Sequence, residues 1–258
     1  MPFLDCGGTN LYYEAEGTGP AILFIHPPLI TSRIFHYQVE DLKHQYQLIR
    51  FDIRGHGLSQ PSIQPLTYSL IIEDLCRLLD HLQIEKAYLV GYSTGGSIAL
   101  ETLYQYPERF LGGILISSMS EISDPILKAE LKLAISLCNP IGFPLLTHVF
   151  CRSNADSRKM FAYLYATARM GNPKNIQQYF SYSLTYNGTK HLPSIQTPIL
   201  ILAGTKNKQF RKYTNILTKN LPKAAHFPIS HKPHELTTRA GRELNQKIRE
   251  WLSMVGTV

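Results

Sequence analysis

The pentapeptide Gly91-Tyr92-Ser93-Thr94-Gly95 carries the clearest chemistry in the chain. Before it, residues 86–90 are apolar and partly β-branched and read as a buried strand. After it, residues 96–104 read as a helix. A serine at such a turn, with glycine two residues away on each side, is a nucleophile elbow. The tight turn strains the serine backbone and demands small neighbours. In return the hydroxyl stands clear of the sheet, and the Thr94 N–H points at a bound carbonyl oxygen. The chemistry implied is attack on an acyl carbonyl. A serine hydroxyl is a poor nucleophile near neutral pH, so it needs a base within hydrogen-bond reach. His226, His231 and His234 follow the last expected strand and are the candidates.

The elements that must position these groups alternate along the chain. Residues 3–6 and 11–16 read as a hairpin about the turn Gly7-Gly-Thr-Asn10. Strands are expected at 21–25, 47–51, 86–90, 111–116, 198–203 and 225–229, and helices at about 32–42, 67–82, 96–104 and 236–251. In the second helix, Leu70, Ile71, Leu75, Leu78, Leu79 and Leu82 repeat at three and four. Strand and helix in alternation imply a mostly parallel sheet covered on both faces. The rhythm breaks over residues 119–191, which are helical in pattern and rich in Leu, Phe and Tyr. This stretch reads as a helical insertion over the C-terminal edge of the sheet, with 1–118 and 192–258 forming the core domain.

With 258 residues, 44% hydrophobic and 17% charged, the chain fits one globular α/β domain with an insertion. No apolar run is long enough to cross a bilayer, and the start resembles no signal peptide, so a cytoplasmic location is expected. The four cysteines, Cys6, Cys76, Cys138 and Cys151, form no C-x-x-C pair and read as reduced thiols. The net charge of +7 comes from scattered residues with only short clusters, such as 206–212. That pattern argues against nucleic acid as a partner and favours a mildly basic surface.

In order along the chain, Leu23-Phe-Ile-His-Pro27, Phe51-Asp-Ile-Arg-Gly-His-Gly-Leu-Ser59, Gly91-Tyr-Ser-Thr-Gly-Gly96, Ile199-Leu-Ile-Leu-Ala-Gly204 and a histidine before the last helix resemble the landmarks of the α/β-hydrolase fold. The resemblance spans nearly the whole chain. It implies that the insertion after strand six is a cap walling a substrate pocket. It also implies a catalytic order of serine, acid, histidine. The fold serves esterases, lipases, thioesterases, C–C hydrolases, perhydrolases, dehalogenases, epoxide hydrolases and signalling receptors. Serine at 93 argues against the dehalogenase and epoxide hydrolase chemistries, in which that position is aspartate.

Carried over residue by residue, the resemblance places the base five residues past the last aliphatic residue of the final strand. Counting from Ile229 gives His234, with His231 as the alternative. The H-x-x-H spacing of these two lacks an acidic third ligand, so no metal is implied. The acid position falls on Asn207, which can orient a histidine but brings no charge. A carboxylate from after strand six, Glu121 or Asp124, is the alternative acid. The oxyanion donors would be the N–H groups of Thr94 and of the residue at the position Pro28 occupies. Proline has no N–H, so Leu29 must donate or Thr94 acts alone. His26, Asp52, Arg54 and His56 read as loop supports.

These residues suggest a serine hydrolase for a small or medium apolar ester or thioester, a small-molecule substrate handled with no cofactor. Two other readings stay open. Asn207 and Pro28 suit a weakly active protein that binds a small ligand for signalling, and the same Ser-His pair suits C–C hydrolysis or perhydrolysis.

Overall fold

The computed structural model describes residues 2–256. Eight strands form one sheet in the order β1-β2-β4-β3-β5-β6-β7-β8. They are β1 (Phe3–Asp5), β2 (Asn10–Glu16), β3 (Ala21–Ile25), β4 (Gln47–Phe51), β5 (Ala87–Tyr92), β6 (Phe110–Ile116), β7 (Ile199–Gly204) and β8 (Ala224–Ile229). The β1–β2 hairpin joins β4 antiparallel, and every pairing from β4 through β8 is parallel.

Strand side chains sort by parity, as a two-sided buried sheet requires. In β3, Leu23 and Ile25 face one core while Ile22 and Phe24 face the other; β7 divides likewise into Ile199 and Ile201 against Leu200 and Leu202. The first core is closed by α2 (Tyr68–His81), α3 (Thr94–Gln105) and α8 (Arg211–Asn220). The second is closed by α1 (His36–Leu42), α9 (Leu236–Arg239) and α10 (Gly241–Val255). Helix α2 starts where expected: the Thr67 hydroxyl accepts from the Leu70 N–H and caps it.

Three elements differ from the sequence reading. The helix after the elbow begins at Thr94, directly behind the serine. The last helix is broken at Ala240, whose non-helical φ of −141° and ψ of 23° separate α9 from α10. Helix α8 was not anticipated. Its Arg, Lys, Thr and Asn content hides a narrow buried stripe of Tyr213, Thr214 and Leu217.

Between β6 and β7 lie four helices: α4 (Pro125–Leu137), α5 (Phe143–Asn154), α6 (Arg158–Ala168) and α7 (Pro173–Thr185). Leu127, Leu131, Phe143, Leu146 and Phe180 build a third apolar cluster with Leu29, Met119 and Phe210 of the sheet's loops. The strand order reverses at β3, which pairs with β4 on one side and β5 on the other. In open α/β sheets, ligands bind beyond the strand C-termini at such a reversal. Ser93 follows β5 at this point.

Candidate active site

Ser93 has φ 54° and ψ −123°, a conformation that costs on the order of 1–3 kcal/mol for a non-glycine residue. The surroundings hold it there. Its N–H donates to the Ile116 carbonyl at 2.9 Å. A Cβ at position 91 would collide with Gly95 and Gly96, and one at 95 with the Ile25 carbonyl oxygen. This crowding accounts for the glycines on both sides of the serine. Thr94 opens α3, so its N–H lies among the first-turn groups that have no partner within the helix. That end of the helix also carries the positive end of its dipole.

His234 lies on the loop between β8 and α9. Its Nε2 is 3.1 Å from Ser93 Oγ. The ring packs between Phe210, with centroids 4.1 Å apart, and Tyr92 at 5.5 Å. The His234 carbonyl accepts from Ser117 Oγ at 2.8 Å. Backbone bonds from Thr205 to Ile229 and from Lys206 to Lys232 stitch the loop to the end of β7. Gly204 lies against the Lys232 and Pro233 carbonyls with no room for a side chain.

The second ring nitrogen is the departure. His234 Nδ1 is enclosed and has no hydrogen-bond partner among the described residues. If Ser93 donates to Nε2, Nδ1 carries the proton, and an enclosed N–H without an acceptor costs about 1–3 kcal/mol. Burial, with no neighbouring charge to offset it, pushes the imidazole pKa down to about 4.

The acid candidates lie elsewhere or are occupied. Asn207 lines the same cavity as Ser93 and His234, but its amide oxygen accepts from the Phe210 N–H at 3.4 Å. Glu121 accepts from the Thr189 hydroxyl and pairs with Asn187. Asp124 caps α4 through the Ile126 and Leu127 N–H groups and takes a further bond from Gln209. His231, the alternative base, is exposed, and its backbone N–H donates to Thr205 Oγ1. Leu29 is fully buried at φ 72° and directly follows Pro27 and Pro28, which line the cavity.

The remaining polar loop residues support the site. Ile53 N–H donates to His26 Nε2, which fixes the proton on Nδ1, and Nδ1 donates to the Pro27 carbonyl. The loops after β3 and β4 are thereby tied together. Burial pushes His26 down to about 4, and burial with its neighbour His26 pushes His56 to about 3. Asp52 accepts from Ser32 and Leu58, and Arg54 forms a buried ion pair with Asp74.

One connection carried no signal in the sequence. The Tyr92 hydroxyl donates to Asn154 Oδ1 at 2.9 Å, at the end of α5. Thr238 Oγ1 donates to the Asn154 carbonyl at 2.7 Å, and Arg239 donates to the Ser153 and Ala155 carbonyls. The C-terminus of α5 is therefore tied both to the residue before Ser93 and to the helix after His234.

Ser93 and His234 open onto a cavity of about 650 Å³. Its walls are mainly apolar, with Ile122 from the loop before α4, Leu131, Leu146, Phe150 and Phe180 from the β6–β7 helices and Phe210 from the loop after β7. No helix among the described residues is long and apolar enough to cross a membrane.

The α/β hydrolase fold family model matches residues 20–236, most of the chain and every element of this site. The chain belongs to the α/β-hydrolase fold family. Its relatives and structural neighbours include hydrolases and esterases. A proposed carbamate hydrolase from Azorhizobium caulinodans is 25% identical, over 87% of this chain and 88% of that protein. A 3-oxoadipate enol-lactonase from Acinetobacter baylyi is 30% identical, but over only 41% of this chain and 39% of its own length. A thermophilic esterase from Thermogutta terrifontis superposes with a TM-score of 0.86 at 22% identity, covering 99% of this α/β hydrolase and 97% of that chain. An esterase from Exiguobacterium antarcticum gives 0.88 at 18% identity, covering 97% and 98%.

Proposed function

We propose that this α/β hydrolase is a serine hydrolase that cleaves apolar carboxylic esters or thioesters with a Ser93–His234 dyad. The observation that carries the reading is the 3.1 Å approach of His234 Nε2 to Ser93 Oγ at the wall of an apolar cavity. Ser93 Oγ attacks the acyl carbon as its proton passes to His234 Nε2. The oxyanion forms against the Thr94 N–H at the head of α3, with the Leu29 N–H as the second donor. His234 returns the proton to the departing alcohol or thiol, leaving an acyl-enzyme. Water, deprotonated by the same nitrogen, then releases the acid. With no carboxylate on Nδ1, the imidazolium is stabilised only by its dipolar surroundings, so turnover is expected to be modest. The four helices between β6 and β7 act in this reading as the cap, spanning residues 119–191.

The test is hydrolysis of short p-nitrophenyl esters by wild type and Ser93→Ala. Activity lost in the variant supports the proposal, and equal rates refute it. The partnerless Nδ1 favours a second reading, a ligand-binding protein with little turnover. That reading expects melting-temperature shifts with small apolar ligands and no acyl-enzyme by intact mass.

A further inference from the structure

Helix α4 lines the cavity with both buried and exposed apolar side chains. Leu127, Leu131 and Ala134 are buried in the helical cluster, whereas Leu133 is 60% exposed. Across the cleft, α5 presents Leu145 at 61% and Val149 at 53% exposure. These three exposed side chains line the same cavity as Ser93 and His234. The cavity therefore reaches the surface between α4 and α5 through apolar lips. Apolar groups held in water at a cavity mouth indicate an apolar occupant. Their continuity with the serine makes that occupant part of the substrate.

We infer that the substrate carries an unbranched acyl chain of roughly ten carbons, which runs from Ser93 along the α4–α5 cleft and ends between Leu133 and Leu145. This inference rests on the serine-hydrolase reading and deepens it. The length follows from the wall. The cavity is lined by α4 from Leu127 to Leu137, and ten residues of helix rise about 15 Å. An extended chain advances about 1.2 Å per bond, so roughly nine carbons reach Leu133 and roughly thirteen span the whole wall, which places the end of a chain of about ten carbons at the lips. A volume of about 650 Å³ also exceeds what an acetyl or butyryl group fills.

The test pairs turnover with binding. p-Nitrophenyl acetate, butyrate, octanoate, decanoate and laurate are assayed below their micelle concentrations. For wild type, kcat/KM should rise by about 4-fold per methylene and level off near decanoate, from about 0.8 kcal/mol per buried methylene. Calorimetric Kd values of Ser93→Ala for the same esters should fall in parallel. Leu133→Asn and Leu145→Asn replace exposed residues and should lower the decanoate-to-butyrate ratio by at least 10-fold, with melting curves confirming the fold. A preference peaking at acetate or butyrate, or a Kd independent of chain length, overturns the inference. Rising affinity with no turnover leaves the chain site standing and removes the hydrolase reading instead. Sedimentation showing a dimer that Leu145→Asn dissociates overturns the inference, because the lips would then be a subunit contact.

Discussion

Replacing Asn207 with aspartate tests the electrostatics of the proposed dyad. As Ser93 gives up its proton, His234 must become an imidazolium in a site where burial holds its pKa at about 4, against an ordinary 6.5. That difference amounts to about 3 kcal/mol of charging cost. Asn207 shares the cavity wall with His234 and stands where the resemblance to the family puts the acid. A carboxylate there that reaches Nδ1 would accept its orphaned N–H and offset most of this cost. The expected gain in kcat/KM is on the order of 10²-fold, and up to about 10⁴-fold by analogy with triad acids. The pH profile gives an independent readout. The base works only when neutral, so wild-type activity should fall only as pH drops through about 4. In Asn207→Asp the charged form is favoured, and the acid limb should move up toward 6 or above. Initial rates of p-nitrophenyl butyrate hydrolysis within seconds of a pH jump separate this limb from acid unfolding. A rate within about twofold of wild type and an unmoved acid limb would refute the reasoning.

Further tests concern the scaffold. Asn154→Ala strips the acceptor from the buried Tyr92 hydroxyl and should lower stability by about 1–3 kcal/mol, read by urea denaturation, with kcat falling more than KM changes. Gly204→Ala drives a methyl group into the Lys232 and Pro233 carbonyls; if the loop moves by about 1 Å, kcat should drop on the order of 10²-fold while KM changes little. His26, His56 and His234 are all held neutral below their ordinary range. Below about pH 6.5 the unfolded chain takes up protons that the folded one refuses. Stability should therefore fall as pH drops from 6.5 toward 4, by up to about 4 kcal/mol per unit for three such groups, seen as a falling Tm.

The elbow could be read from sequence because its cause is local. A buried strand, a helix and two glycines within a few residues of Ser93 allow few other shapes. The sheet was legible for a similar reason: in β3 and β7 every residue is apolar or small, as burial on both faces demands. Counting from Ile229 names His234 ahead of His231, and it is His234 whose Nε2 lies 3.1 Å from Ser93 Oγ. Side-chain direction was not legible. Asn207, Glu121 and Asp124 lie at plausible positions in the chain, yet their oxygens turn toward Phe210, Thr189 and the head of α4. Helix α8 carries little signal because polar residues, Thr and Asn among them with low helix propensity, mask a stripe of three buried residues. The bond from Tyr92 to Asn154 joins residues 62 apart, and no periodicity records it.

The ties at the end of α5 bear on how such a protein can be rebuilt. Treating residues 119–191 as an exchangeable module would cut through the bonds from Tyr92, Thr238 and Arg239 to residues 153–155. Helix α5 belongs mechanically to the frame that carries the serine and the histidine. Helix α4 meets that frame mainly at its head, through Gln209 and Tyr213. Chimeras that transplant α4 from a relative should keep a working site and take on the donor's substrate range. Chimeras that transplant α5 should carry the matching residues at 92, 238 and 239 as well. Any breathing of the pocket should hinge on α4, with α5 as the fixed jamb.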